Sequence, residues 1–286
     1  MKVLVSGSGG LLGSALVQAA PRFGHLAMPL KRTELNWREP LANRSLFGGV
    51  DIVIHAAANT NVEQCEKEPD ACYRDNSVLT EMIAAASADN GCKLVLISSS
   101  GIYGSHKTTP YCEYDDVVPT THHHRSKLLA EQHGLRHCPD ALIIRTGWLF
   151  GGAPDNPKNF VMRRIEEARA AGQGPVSSNQ QQRGNPSYVR DVARRIFQLL
   201  GLQQVGVFNV VGSGVASRFD YVSAILQLAG LATDVVPAAA SQFQRLAQVS
   251  DNEAALNWKA GLIGLAPMPD WRESLGKYLR DELQIP

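Results

Sequence analysis

Two groups of residues in this chain have the types and spacing to do chemistry. The first is Ser6-Gly7-Ser8-Gly9-Gly10-Leu11-Leu12-Gly13, where Gly7, Gly10 and Gly13 recur at every third position. Glycines so spaced between a strand and a helix give a tight turn and let backbone approach a pyrophosphate. The helix N-terminus, where Leu11 and Leu12 stand, then aims N–H groups at that anion. About 20 positions on, a dinucleotide site for NAD carries an acid that binds ribose hydroxyls. Lys31 and Arg32 stand there instead. Two cations suit a 2′-phosphate, so NADP(H) is expected ahead of NAD(H). The second group is His122-His123-His124-Arg125-Ser126-Lys127. His123 and Lys127 are an i, i+4 pair, so on a helix they point into one cleft. Imidazole does acid–base work near neutrality, with a pKa of about 6.5. A nearby ammonium lowers that value, which makes the ring a poorer acid and a better base. Three consecutive histidines fan out by about 100° each and cannot converge on one ion. His133 and His137 lack an evident third ligand, so no metal site is expected.

The elements that must position these groups are readable from apolar runs. Val3–Val5, His25–Leu30, Asp51–His55, Leu94–Ser98, Ala141–Arg145 and Val207–Val211 read as strands. Leu11–Ala20, Val78–Ser87, Ser126–His133, Tyr188–Leu200 and Phe219–Leu228 read as helices. Runs such as Ile52-Val53-Ile54 and Leu94-Val95-Leu96-Ile97 are apolar throughout, which implies burial on both faces. Alternation of such strands with helices predicts an α/β fold: a Rossmann-type, doubly wound parallel sheet. Near Gly151 the texture changes, and Gly, Pro, Asn and Gln accumulate through Gly174–Pro186. Residues 1–150, with about 188–211 returning, are therefore expected to form the nucleotide domain. Residues 151–187 and 212–286 are expected to form a smaller C-terminal substrate lobe.

The chain has 286 residues and a formal net charge of +1. That balance speaks against nucleic acid or an anionic membrane as partner. No apolar run approaches the roughly 18 residues of a membrane helix. Met1–Gly7 reads as a strand, without the anatomy of a signal peptide. The five cysteines, Cys65, Cys72, Cys92, Cys112 and Cys138, are irregularly spaced and contain no CxxC pair. Free thiols and a cytoplasmic setting are the expectation. A small-molecule substrate is the expected partner, and a homodimer is allowed for.

Several segments together resemble the extended short-chain dehydrogenase/reductases, closest to the RmlD-like, dTDP-4-dehydrorhamnose reductase subgroup. Asp51-Ile52-Val53-Ile54-His55-Ala56-Ala57-Ala58-Asn59-Thr60-Asn61-Val62-Glu63 is similar to that family's cofactor-side loop. Ile97-Ser98-Ser99-Ser100-Gly101-Ile102-Tyr103-Gly104 resembles its catalytic strand end, and Arg145-Thr146-Gly147-Trp148-Leu149-Phe150 a further shared segment. Asn159-Phe160-Val161, Gly184–Tyr188 and Leu265–Arg272 extend the likeness nearly end to end. The resemblance implies an NADP-binding oxidoreductase acting on a nucleotide-linked keto sugar or similar polar carbonyl compound. It puts Ala56, Ala57 and Ala58 along the cofactor, Lys127 on its ribose, and Ser99 at the substrate carbonyl. It puts Ser100, Trp148 and Asn159 on the substrate side, with Trp148 equally readable as core. Two departures fall at the reaction centre. His123 stands where the family has its proton-donating Tyr, and Ser99-Ser100 where the subgroup has Thr-Asp. Tyr103 and Tyr111 are alternative acids, with packing the plainer reading. Three readings of His123 stay open: a substituted acid/base in a working reductase, a non-redox reaction on the same scaffold, or a cofactor-binding regulatory protein without turnover.

Overall fold

Successive β-branched and leucine residues make the five strands that lead to the cleft: β1 (Lys2–Ser6), β2 (Leu26–Leu30), β3 (Ile52–His55), β4 (Lys93–Ser99) and β5 (Leu142–Thr146). In the computed structural model, which describes residues 1–37, 39–172, 174–239, 242 and 245–285, they join Gly206–Asn209 in one six-stranded sheet. The order is Gly206–Asn209, β5, β4, β3, β1, β2, and every pairing is parallel. Pro29 sits in β2, which is an edge strand, the place where a missing N–H is tolerated.

Both faces of the sheet are covered, as continuous apolar strands require. Val3, Val5, Ile52, Ile54, Val95, Ile97, Leu142 and Ile144 face one core, shared with α1 (Leu11–Ala19) and a later helix of residues 189–201. Leu4, Val53, Leu94, Leu96 and Ile143 face the other. Two short helices, α2 (Val62–Lys67) and α3 (Pro69–Tyr73), lead through a π-helical turn, Arg74–Val78, into α4 (Leu79–Asp89). α4 and α5 (His122–His137) cover this second face. α5 begins earlier than the apolar pattern suggests, because Thr121 caps it by accepting a hydrogen bond from the His124 N–H at 3.2 Å.

After β5 the chain builds α6 (Phe160–Ala171), then α7 (Val189–Gly201), which returns to pack on α1. α8 (Arg218–Leu228) packs on α6, α9 (Trp258–Leu262) lies against Gly206–Asn209, and α10 (Trp271–Asp281) packs on α8. A two-stranded parallel pair, Val176–Asn179 with Val235–Ala238, completes this part. One apolar core runs from Val3 and Val5 through α7 to Tyr221, Trp271 and Leu279. The elements after β5 therefore share the sheet's own core. Among the described residues, no helix is long and apolar enough to cross a membrane.

α5 is pinned by charge. Arg145 on β5 donates from Nε and Nη2 to the two carboxylate oxygens of Glu131, at 3.0 and 2.8 Å, and both side chains are buried. Its guanidinium also lies 5.0 Å from the Tyr103 ring centre. Removing one partner strands a buried charge. Glu131→Ala is expected to lower the unfolding free energy by about 3–5 kcal/mol in urea denaturation. A loss below about 1 kcal/mol, the range of an exposed pair, would show that the contact does not hold the helix.

Candidate active site

β1 and β3 are neighbours, yet the chain leaves β1 toward β2 and returns on the other side. That reversal opens a crevice beyond the strands' carboxyl ends, the usual ligand position in such sheets. The glycine loop and the Ala56–Ala58 loop form its lips. Gly7 has φ +69°, and a Cβ there would stand 2.6 Å from the Ala57 nitrogen. A Cβ on Gly13 would stand 2.0 Å from the Gly7 carbonyl oxygen. Both glycines are demanded by close backbone packing. Gly10 caps α1 with no side-chain hydrogen bond, and the first turn carries no acid. The amide donors there are free of the side-chain partners that usually satisfy a helix start. This arrangement fits a pyrophosphate.

The crevice widens into a cleft of about 2010 Å³. Gly7, Gly10, Leu11, Leu12, Gly13, Arg32, Ala56, Ala57 and Ala58 line one end, and Ser99, His123 and Lys127 line it further in. Lys31 does not line it; its backbone N–H is held by Glu34 and its side chain is exposed. Only the second of the two expected cations is therefore in place. Arg32 pairs with Asp75 at 2.6 Å and keeps its side chain more than half exposed.

Ser99 ends β4. Its Oγ accepts a hydrogen bond from Gly101 N at 3.2 Å, which leaves the hydroxyl proton to donate. Lys127 reaches back from α5 and donates from Nζ to the Ile97 carbonyl at 2.6 Å. Burial pulls the Lys127 ammonium down to about 8, against support from Glu131. His123 is buried on the same helix face. Burial, then the neighbouring His124 and Lys127, drive its pKa down to about 3, although a hydrogen bond to the Asn59 backbone works the other way. His123 is neutral at physiological pH. Ser98 Oγ and Thr146 Oγ1 border the same space, buried and without a hydrogen-bond partner among the described residues. Orphaned buried hydroxyls in a cleft are groups that a ligand can satisfy.

Three residues expected on the substrate side do not line the cleft. Ser100 is buried behind the cleft, against Gly147. Asn159 caps α6 and donates to Ala153 O and the Tyr278 hydroxyl. Trp148 adopts φ +47°, a costly conformation for a bulky residue, and its ring is buried. Its Nε1 donates to Glu253 at 2.7 Å, and the Arg218 guanidinium lies 3.5 Å from its ring centre. Trp148 thus holds two residues that line the cleft and that sequence reasoning missed, Glu253 and Arg218. Tyr103 and Tyr111 are buried and stacked, their hydroxyls donating to Asn209 and to the Gly104 carbonyl. Neither is placed as an acid.

Asn76 was missed as well. It lies in the π turn, accepts from Asn59 N at 2.7 Å, and donates to Ser126 Oγ at 2.9 Å. It staples the cofactor-side loop to α5. Its place is a π turn, a feature that recurs at functional sites and that the linear sequence does not mark.

Comparison with known proteins shows the family and the fold. The dTDP-4-dehydrorhamnose reductase of Mycobacterium tuberculosis (strain ATCC 25618 / H37Rv) is 32% identical over 284 residues, 97% of this chain and 92% of that protein. The spore coat polysaccharide biosynthesis protein SpsK of Bacillus subtilis (strain 168) is 30% identical over 282 residues, 98% of this chain and 97% of that protein. The crystal structure of a dTDP-4-dehydrorhamnose reductase from Bacillus anthracis, in complex with NADP, superposes with TM-score 0.92 at 26% identity, covering 98% and 99% of the two chains. With the RmlD substrate binding domain model matched over residues 1–284, this chain belongs to that family.

Proposed function

We propose that the protein is an NADP(H)-dependent reductase of a nucleotide-linked keto sugar, with Ser99, His123 and Lys127 at the carbonyl. One observation carries the reading. These three side chains line the same cleft as the glycine loop, beside hydroxyls that lack partners among the described residues. The cleft's 2010 Å³ exceeds the roughly 300–1,000 Å³ typical of one small ligand, so it has room for a dinucleotide and a second nucleotide. The NADP complex of the Bacillus anthracis relative and the shared reductase names support the cofactor and substrate class.

NADPH, when bound, supplies a hydride to the carbonyl carbon. The α1 N-terminus receives the pyrophosphate, and Arg32 the 2′-phosphate. Ser99 donates to the carbonyl oxygen. A neutral imidazole N–H also stabilises developing negative charge on oxygen, and His123 fills that role. It cannot be the proton source near neutrality, because its imidazolium is lost far below. Lys127, titrating near 8, is the acid on that wall matched to neutral pH. Arg218, Arg163 and Arg245 line the far wall and suit the phosphates of a nucleotide sugar. His123's neutrality favours one second reading, a cofactor-binding protein without turnover.

Three outcomes test this. Arg32→Ala should weaken NADP(H) by about 10- to 100-fold in calorimetry and leave NAD(H) nearly unchanged, since charge-assisted bonds contribute roughly 1.5–3 kcal/mol. Equal losses for both cofactors would remove Arg32 from the 2′-phosphate. Gly10→Val should abolish cofactor binding in a protein that still folds, because the added Cβ meets only the Gly7 carbonyl oxygen, at 3.2 Å. Unchanged binding would place the nucleotide elsewhere.

The third outcome is a pH profile of NADPH oxidation with a dTDP-4-keto sugar. Lys127 is charged below about 8 and neutral above it, so turnover should fall as pH rises through that value. His123→Ala should lower kcat by about 10²–10³, the cost of one oxyanion donor, without moving that limb. A limb that vanishes with His123 would make the histidine the acid. Binding of NADPH with no oxidation of any keto sugar nucleotide would establish the turnover-free reading.

A further inference from the structure

Cys65, Cys72 and His123 are 58 residues apart end to end, yet their ligand atoms all lie within 4.8 Å of one another, and all three side chains are buried. The cause is local. Seven residues of unbroken helix would separate Cys65 and Cys72 by about 10 Å along the axis. Pro69 starts α3 immediately after Glu68, whose φ of −131° ends α2, and the chain folds back on itself. Both short helices then pack on the first turns of α5, which brings the two sulfurs to the His123 ring. The histidine run read from sequence hid this, because the partners of His123 come from other helices.

The geometry points to a binding site for a thiophilic divalent cation of the zinc type, held by the thiolates of Cys65 and Cys72 and a ring nitrogen of His123. Two thiolates and one imidazole are a known zinc donor set with a fourth position open to oxygen. Tetrahedral coordination at about 2.3 Å from sulfur needs donors about 3.8 Å apart, so small side-chain rotations close the present spacing. Two thiolates cancel the ion's charge, which suits a site away from water. The surroundings fit as well. His123 Nδ1 lies 3.5 Å from Asn76 Nδ2, a long contact, and that amide already serves Ser126 Oγ at 2.9 Å and Asn59 O at 3.1 Å. The ring is also hydrogen-bonded to the Asn59 backbone, the type of outer contact that orients ligating histidines. Ser126 Oγ, 3.4 Å from Cys72 Sγ, is an oxygen close enough to reach the fourth position. Ligation through one ring nitrogen, with the other held by the Asn59 backbone, takes His123 out of the oxyanion role, so a loaded site and the proposed part of His123 at the carbonyl exclude each other.

Cobalt(II) is the probe. The full-length protein, reduced and freed of metal, should take up one cobalt per chain and show thiolate-to-cobalt charge-transfer absorption. That absorption should be lost in Cys65→Ser and in Cys72→Ser, and kept in Cys112→Ser, whose thiol lies elsewhere. His123→Ala should weaken uptake at least tenfold. X-ray absorption of the zinc-loaded native protein needs no variant and should show two sulfur scatterers with nitrogen and oxygen. A folded native protein that takes up no cobalt overturns the inference. So does a coordination shell without sulfur, or recovery of Cys65 and Cys72 as a mutual disulfide in place of metal.

Discussion

One stripe of α5 is polar and buried, and the site is arranged around that constraint. His123, Lys127 and Glu131 follow one another at i, i+4 and i+8, and each is under a tenth exposed. A helix normally turns such residues to water. Here each group is satisfied differently. Glu131 takes the Arg145 guanidinium from β5, and Lys127 takes the Ile97 carbonyl from β4. His123, at the end nearest the cleft, sheds its charge. Slipping the helix by one residue would break all three arrangements, so the register of α5 on the sheet and the geometry of the site are the same constraint.

The same stripe explains what a histidine does in this position. Lys127 and His124 both stand near it, and burial removes the solvent that would stabilise an imidazolium. From sequence, Lys127 is the expected cause of a lowered pKa. Desolvation is the larger cause, and with it the ring is neutral near physiological pH. In the proposed reductase, an imidazole here keeps a hydrogen-bond donor and gives up a proton source, and Lys127, pulled down to about 8 by the same burial, would be the acid within reach of neutral pH.

What was legible in the sequence follows from how local each signal is. The continuous apolar strands, the glycine spacing and the i, i+4 pair are set by neighbours in the chain, and each lies where periodicity put it. Helix ends moved where capping decided them, as at Thr121. Residues whose role depends on distant partners were not legible. Lys31 and Arg32 are adjacent, but only Arg32 meets Asp75 and turns toward the cleft. Ser100, Trp148 and Asn159 stand beside cleft residues in sequence and are covered by packing in space. Asn76, Glu253, Arg218 and the Cys65–Cys72 pair carry no pattern that a linear reading detects.

Trp148 shows how the two parts of the chain are joined. A left-handed backbone on a large residue costs on the order of 1–3 kcal/mol and persists only where surroundings over-determine it. Its indole is fixed by the Glu253 carboxylate, by Arg218 above the ring, and by Gly184, where a Cβ would stand 2.4 Å away. Those three contacts come from residues 184–253, later in the chain, while Trp148 itself follows β5. Glu253 in turn stands 4.0 Å from His124, one residue from His123. The far wall of the cleft is thus tied to the sheet through this ring as well as through backbone and side-chain bonds such as Ser250 Oγ to the Gly104 carbonyl, above a continuous apolar core. A ligand entering this cleft meets the groups that its walls present, among them Arg32, Arg163, Arg218 and Glu253, and those groups set what it can hold.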